Sequence, residues 1–330
     1  MKIKRTLLYL LGSIVVIVAM AYLLKSRGIT PREIKIAICR FHLKTIFLAS
    51  LPIIFIQIGL QISRLWAVLP SSRHRLPPLH EWPGVARAFS FGQAVNAFAP
   101  ARMGDAVKLI VLQRENKDSV TLGTAAGALL SDKSIDVVSL ILLSLLCFRS
   151  WGHRLKTLNA PHIGEWALEA TIVVVIVVSL ALYLFPKIRV KVRSIWQQIV
   201  QGLVPLRVPA QSLPALLFSM LGWCGELWAI RILAAAQGYP LNFNEVLWSM
   251  IILNIGVAVP IALANFGAFE AAMTLGLLQV GVPAPIGLAV ATAHHALQIV
   301  CVFLWAGVLA LIRAPNASLR AAVKKTAQSL

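Results

Sequence analysis

The chain has 330 residues, 58% of them hydrophobic and only 13% charged, with a mean hydropathy of +0.80. Soluble domains run at about 45–50% apolar and about a quarter charged, so the composition excludes an ordinary water-soluble protein and indicates an integral membrane protein. Lys and Arg outnumber Asp and Glu by 31 to 12, a formal charge of +19. Those cations flank apolar stretches, the pattern of positive-inside orientation and contact with anionic headgroups rather than of nucleic-acid binding.

A helix needs about 20 apolar residues to cross the hydrocarbon. The first such stretch is 6–24, preceded by Lys2, Lys4 and Arg5. It also has the form of a signal peptide, with Ala19-Met20-Ala21 as a cleavage site, but the spans that follow favour an uncleaved anchor. Residues 25–44 are basic and amphipathic and are expected to lie along the interface. Further spans are predicted at 45–69, 120–148, 167–185, 213–236 and 286–312, with a polar, proline-rich loop at 70–83 and a second basic interfacial stretch at 186–209.

Two apolar segments read badly as simple spans. Residues 85–112 are interrupted by Gly92, Asn96, Pro100, Arg102, Gly104, Asp105 and Lys108, and residues 246–282 by Asn254, Gly256, Pro260, Asn265, Gly267 and Glu270. Broken backbone at membrane depth survives only where protein or a water-filled cavity satisfies it. Both are therefore expected to be re-entrant helical hairpins. The expected architecture is all-α, with about six transmembrane helices plus two re-entrant hairpins. Hairpins dipping from opposite faces would make an inverted repeat.

The chain is expected to form one polytopic membrane domain. Its first half is 45–185 and its second 212–313, joined by a basic linker at 186–211, with a basic tail at 314–330. Lys and Arg are more numerous on the side that puts both termini in the cytoplasm, although the 25–44 stretch runs against that bias.

Ionised side chains at mid-bilayer cost about 2.5–3.5 kcal/mol on insertion scales, which makes embedded charges functional candidates. Of the 12 acids, Asp105, Asp132, Asp136, Glu226 and Glu270 lie in apolar surroundings. Arg102, Asp105 and Lys108 are spaced three apart, so each neighbouring pair can meet on one helix face. Beside a helix N-terminus this small cationic network suits a phosphate, or else pins the hairpin tip with its own salt bridges. Asp132 and Asp136 are one turn apart, fit to hold a cation, relay protons or compensate Arg102 and Lys108. Glu270 follows a helix break, where an acid also serves as a cap.

Glu226 and Arg231 are badly spaced for each other and should seek partners on other helices. His294 and His295, with Gln298 a turn on, are explained by interhelical hydrogen bonds more readily than by proton coupling. Cys39, Cys147, Cys224 and Cys301 are scattered, without metal-ligand or disulfide spacing. Neither a metal nor a cofactor is expected.

The same residues carry a family resemblance. Asn96-x3-Pro100-x-Arg102-x-Gly104-Asp105 resembles the N-x3-P-x-R-x-G-E element of the flippase-like membrane domain shared by lysylphosphatidylglycerol synthases and their stand-alone relatives. Asp132-Lys133-x2-Asp136 is similar to that domain's acidic-basic-x2-D element, and Pro260 with Gly267-x2-Glu270 to its P…P-G-G-x-G-x2-E element. Asp105 stands where the family usually has Glu, and Leu263, Ala264 and Asn265 replace the Pro-Gly-Gly run.

The resemblance implies a lipid translocase of the bacterial inner membrane, not an enzyme. Arg102 and Lys108 would bind a lipid phosphate or anionic headgroup. Asn96, Asp105, Asp132, Asp136, Glu226, Arg231 and Glu270 would complete the substrate site. With some 18 residues after the last span, no soluble aminoacyl-transferase domain is expected. Rival readings are an accessory subunit of a lipid-modifying or glycosyl-transferring system and an intramembrane lipid-modifying enzyme. A second copy of the chain or such an enzyme is the partner to expect besides lipid.

Overall fold

The computed structural model describes residues 30–42, 44–70, 76–97, 103–116, 120–157, 203–258 and 265–312, with isolated positions at 22, 197, 200 and 201. The expected spans at 6–24 and 167–185, the basic tail at 314–330, and the hairpin tips with Pro100, Arg102 and Pro260 lie outside the described residues. The described chain is helical and contains no strand.

Helix α1 (Pro31–Cys39) starts where Thr30 and Glu33 cap each other. The Thr30 amide donates to Glu33 Oε2 at 2.8 Å, and the Glu33 amide donates to Thr30 Oγ1 at 3.4 Å. The backbone and hydroxyl donors of Thr30 hold the Glu33 carboxyl below its usual range. Ala37 is buried while Arg32, Lys35, Ile36 and Ile38 are exposed, as an interfacial helix requires.

Helix α2 (Leu51–Ala67) continues a wider π-helical turn at Thr45–Ser50. Pro52 lies just after that turn and can neither donate an N–H nor tolerate the carbonyl four residues earlier, a local reason for widening. Helices α3 (Trp82–Asn96) and α4 (Met103–Glu115) fold back on one another, and the 36-residue α5 (Leu122–Thr157) follows. The second half repeats this order. Helix α6 (Pro209–Ala236) is long, α7 (Phe243–Ala258) and α8 (Ala268–Gln279) form a second hairpin, and α9 (Ala284–Leu311) is long again. Helix α2 packs along α6, α5 leans on α6, and α9 leans on α2.

Among the described residues, three helices are long and apolar enough to cross a membrane: Leu48–Ala67, Pro209–Ala236 and Ala284–Leu311. They coincide with the spans read at 45–69, 213–236 and 286–312. Exposed apolar side chains on the long helices recur mainly every fourth residue. Such stripes are Val137, Ile141 and Leu145 on α5, Leu213, Leu217 and Leu221 on α6, and Val300, Leu304 and Val308 on α9. That spacing keeps each stripe on one face, and these are the faces that meet lipid.

At 1.5 Å per residue the four hairpin helices are about 18 to 24 Å long, shorter than the ~30 Å hydrocarbon core. Both hairpins are held by backbone approaching backbone at small residues. A Cβ on Gly92 would lie 2.7 Å from the Gly104 carbonyl and 2.8 Å from Lys108 Cβ, and one on Gly104 would collide with the Gly92 carbonyl. In the second hairpin Gly276 meets the Ser249 backbone at 2.7 Å, and Gly256 meets Ala272. Overpacking of this kind costs about 1–3 kcal/mol. Gly92→Ala should therefore lower the melting temperature of the detergent-solubilised protein by several degrees. Gly307→Ala, which meets nothing within 4 Å, should leave it unchanged.

Candidate functional site

Arg64 is buried on α2, with its guanidinium turned away from the lipid face. Its Nε donates to Asp132 Oδ1 at 2.7 Å, and its Nη1 donates to Asp136 Oδ1 and, at 3.0 Å, to Ser219 Oγ. The one-turn spacing of Asp132 and Asp136 places both carboxylates on the face of α5 toward α2, and the planar fork of arginine suits a two-carboxylate clamp. Asp132 is 1% exposed and Arg64 3%, so this is a buried ion triad joining α2, α5 and α6. Compensating Arg102 and Lys108 is one of three roles the sequence leaves open for these acids; in the fold their hydrogen-bonded partner is Arg64.

A second network occupies the other half. On α6, Glu226 Oε1 lies 2.8 Å from His294 Nε2 and accepts from Gln298 Nε2 at 2.5 Å, both on α9. In the first turn of α8, Glu270 uses both carboxylate oxygens. Oε2 accepts the Gly267 amide at 2.8 Å, and Oε1 lies 2.7 Å from His295 Nδ1. Gly267 has φ of 83° and Asn265 of 59°, a left-handed turn that aims the α8 N-terminus back at its own first acid. Phe269 stacks on His295 with ring centroids 4.3 Å apart and reaches His294 at 6.1 Å. Glu226 thus finds its partners on another helix, and Glu270 is both a cap and a histidine partner.

The first hairpin is pinned by Asn96, whose Oδ1 accepts the Gly104 amide at 2.7 Å and whose Nδ2 donates to Gln93 and Asp105. Lys108 is 2% exposed, with Nζ 3.8 Å from Asp105 and 4.5 Å from the centroid of Phe89. Arg231 sits elsewhere. Its Nε donates to the Leu241 carbonyl at 2.8 Å and its guanidinium lies over Trp228, which anchors the turn between α6 and α7.

Between the two networks lies a cavity of about 190 Å³, room for roughly six waters at ~30 Å³ each or for a small polar headgroup. Its walls carry Arg64, Lys133, Asp136 and Glu226, and five carboxamides: Gln57, Gln61, Gln93, Asn254 and Gln298. Phe89, Trp223, Met250, Leu253, Val257 and Phe269 complete it. Seven helices contribute, drawn from both halves. Among the described residues no group of His, Cys, Asp and Glu is placed to hold a metal.

Sequence reasoning passed over Arg64, Lys133 and the carboxamides as site residues, yet for Arg64 a signal was present. Arg64 precedes Asp132 by 68 residues and Asp136 by 72, and Glu226 precedes His294 and Gln298 by the same 68 and 72. Glu226, His294 and Gln298 thus lie 162 positions after Arg64, Asp132 and Asp136, as Ala284 lies after Leu122 and Ala258 after Asn96. One offset therefore aligns both hairpins, both long closing helices and both networks.

Comparison with known families matches residues 9–306 to the lysylphosphatidylglycerol synthase TM region. No curated protein and no solved structure matches the chain.

Removing one partner of a buried ion pair costs about 3–5 kcal/mol, because it strands the opposite charge. Arg64→Met should destabilise the protein to that extent, seen as a large loss of monodisperse protein on heating in detergent. Arg64→Met with Asp132→Asn and Asp136→Asn should recover most of that loss.

Proposed function

The chain belongs to the family of the lysylphosphatidylglycerol synthase TM region, and from that premise we propose that it moves a phospholipid or another lipid-linked substrate between membrane leaflets. One observation carries the reading. A polar cavity containing both signs of charge is built between two halves aligned by a single offset, inside a bundle whose outer faces are apolar. An accessory subunit needs no such cavity, only charges satisfied by one another.

In this reading the two hairpins are re-entrant and dip from opposite sides, accompanied by six spans with both termini in the cytoplasm of a bacterial inner membrane. The 162-residue offset then marks an inverted repeat, an arrangement that places substrate at the midplane between half-helices. Lys108, on the second helix of the first hairpin, and Arg102 receive the lipid phosphate. Lys133 supplies a further cation at the cavity wall. The carboxamides, each a donor and an acceptor, take the hydroxyl and ester oxygens of the headgroup. Asp105, Asp136, Glu226 and Glu270 balance these cations while the cavity is empty of substrate.

Proteoliposomes carrying fluorescent phosphatidylglycerol in both leaflets provide the test, with dithionite bleaching the outer leaflet. Wild type should expose the protected half of the label, and Arg102→Ala and Lys108→Ala should each slow that exposure at least tenfold. The reading fails if protein-containing and empty vesicles protect the label alike, or if the variants match wild type.

A further inference from the structure

The two networks differ in one chemical respect. Arg64 is permanently charged, so the first keeps its charge at any physiological pH. The second is built from histidines, which gain or lose a proton near neutrality. We propose that the Glu226–His294 pair forms a proton-coupling site, taking up a proton as an anionic lipid headgroup enters the cavity. This rests on the translocation reading above and adds to it an energy source.

The charge around the cavity suits such uptake. Among the charged residues that line it, Arg64 and Lys133 stand against Asp136 and Glu226, so the fixed charges balance. An entering phosphate adds one negative charge, which one proton on the Glu226–His294 pair offsets.

Open positions exist for this proton. Glu226 is itself a wall of the cavity, and its Oε2 is buried without a partner among the described residues. His294 is fully buried, and its Nδ1 is likewise unpartnered. A neutral His294 donating from Nε2 to Glu226 holds a bare lone pair at Nδ1. The pair therefore has two vacant acceptors, one on each partner, and passes from one negative charge to none when a proton arrives from the cavity.

The surrounding elements add no fixed charge that would already satisfy the histidines. Of the helices against α9, α6 presents Glu226, α8 presents Glu270, and α2 presents Arg64, which Asp132 and Asp136 hold. On α3, Arg87 is paired with Glu115 at 2.6 Å, and the charged residues of α1, namely Arg32, Glu33 and Lys35, are exposed. Across the cavity stand Lys133 and Asp136 of α5.

The test is binding, so that it is separable from translocation. Purified wild-type protein is titrated with short-chain phosphatidylglycerol by thermophoresis between pH 8 and pH 6, with phosphatidylcholine as the uncharged control. If one proton enters with each lipid, affinity for phosphatidylglycerol rises about tenfold per pH unit by linkage, while phosphatidylcholine shows no trend. In weak buffer with an indicator dye, adding phosphatidylglycerol should draw protons from solution. Glu226→Gln keeps the hydrogen-bonding shape and mimics the protonated pair, so it should bind at the low-pH affinity throughout and take up no protons.

Equal wild-type affinity at pH 6 and pH 8, or binding without proton uptake, overturns the proposal, as does a Glu226→Gln variant that keeps the wild-type slope. The wild-type measurements decide the matter even if the variant fails to fold. Proton-linked binding in a protein that flips no lipid would uphold the linkage and sink the translocation reading alone.

Discussion

Charge buried in an apolar bundle has to be neutralised from another helix, and the Arg64 triad is where this chain meets that demand. A lone ionised group at mid-bilayer is costly, and within one helix only residues three or four apart can share it. Asp132 and Asp136 lie on α5, Arg64 on α2 and the Ser219 hydroxyl on α6. Satisfying the guanidinium therefore fixes three helices against each other in one register. Because Arg64 and Asp136 also line the cavity, the register that neutralises the charge also shapes the polar wall.

The hairpins depend on that frame. Their helices are too short to bridge the hydrocarbon and are drawn together by glycine: Gly92 on Gly104, Gly276 on Ser249. Close approach leaves little side-chain surface between the paired helices, so each hairpin needs support at its turn. The first is supported by Asn96 on the Gly104 amide and the second by Glu270 on the Gly267 amide. In both, a polar side chain caps the second helix from within the hairpin, and the residues beside it, Gln93 and Phe269, form part of the cavity wall. Structural pinning and site formation are thus carried by the same few residues, which is why Asn96 and Glu270 admit both readings from sequence.

Much of this was legible in the residues alone. The spans at 45–69, 213–236 and 286–312 follow from uninterrupted apolar length, and the two hairpins from the breakers inside apolar segments. The embedded acids were identified as site candidates because charge in such a segment is improbable without a role. What could not be read was partnership. Arg64 lies near the polar loop at 70–83, where a cation is ordinary, and only the packing of α2 on α5 and α6 buries it. The carboxamides were invisible for a related reason: Gln57, Gln61 and Gln298 are unremarked singly, and their convergence is a property of the bundle. Arg231 shows the converse, an embedded-looking charge whose partner is the nearby Leu241 carbonyl across a turn.

The equal separations of 68 and 72 residues bear on how the two halves cooperate. Had the same polarity been kept in both, α2 and α6, which pack along each other, would bring like charges into one cavity. Instead the long helix of the first half carries the cation and its closing helix the acids, while in the second half the long helix carries the acid and the closing helix the histidines. Arg64 and Glu226 thus face one space with opposite signs, each held by its own partners on α5 or α9. The cavity is dipolar rather than uniformly charged, and neither half must open to neutralise the other. In the proposed reading, a ligand entering it competes with two independent clamps, one of fixed charge and one that protons can reset. Two clamps of unequal kind on a common backbone plan give one side of the cavity a condition for release that the other lacks.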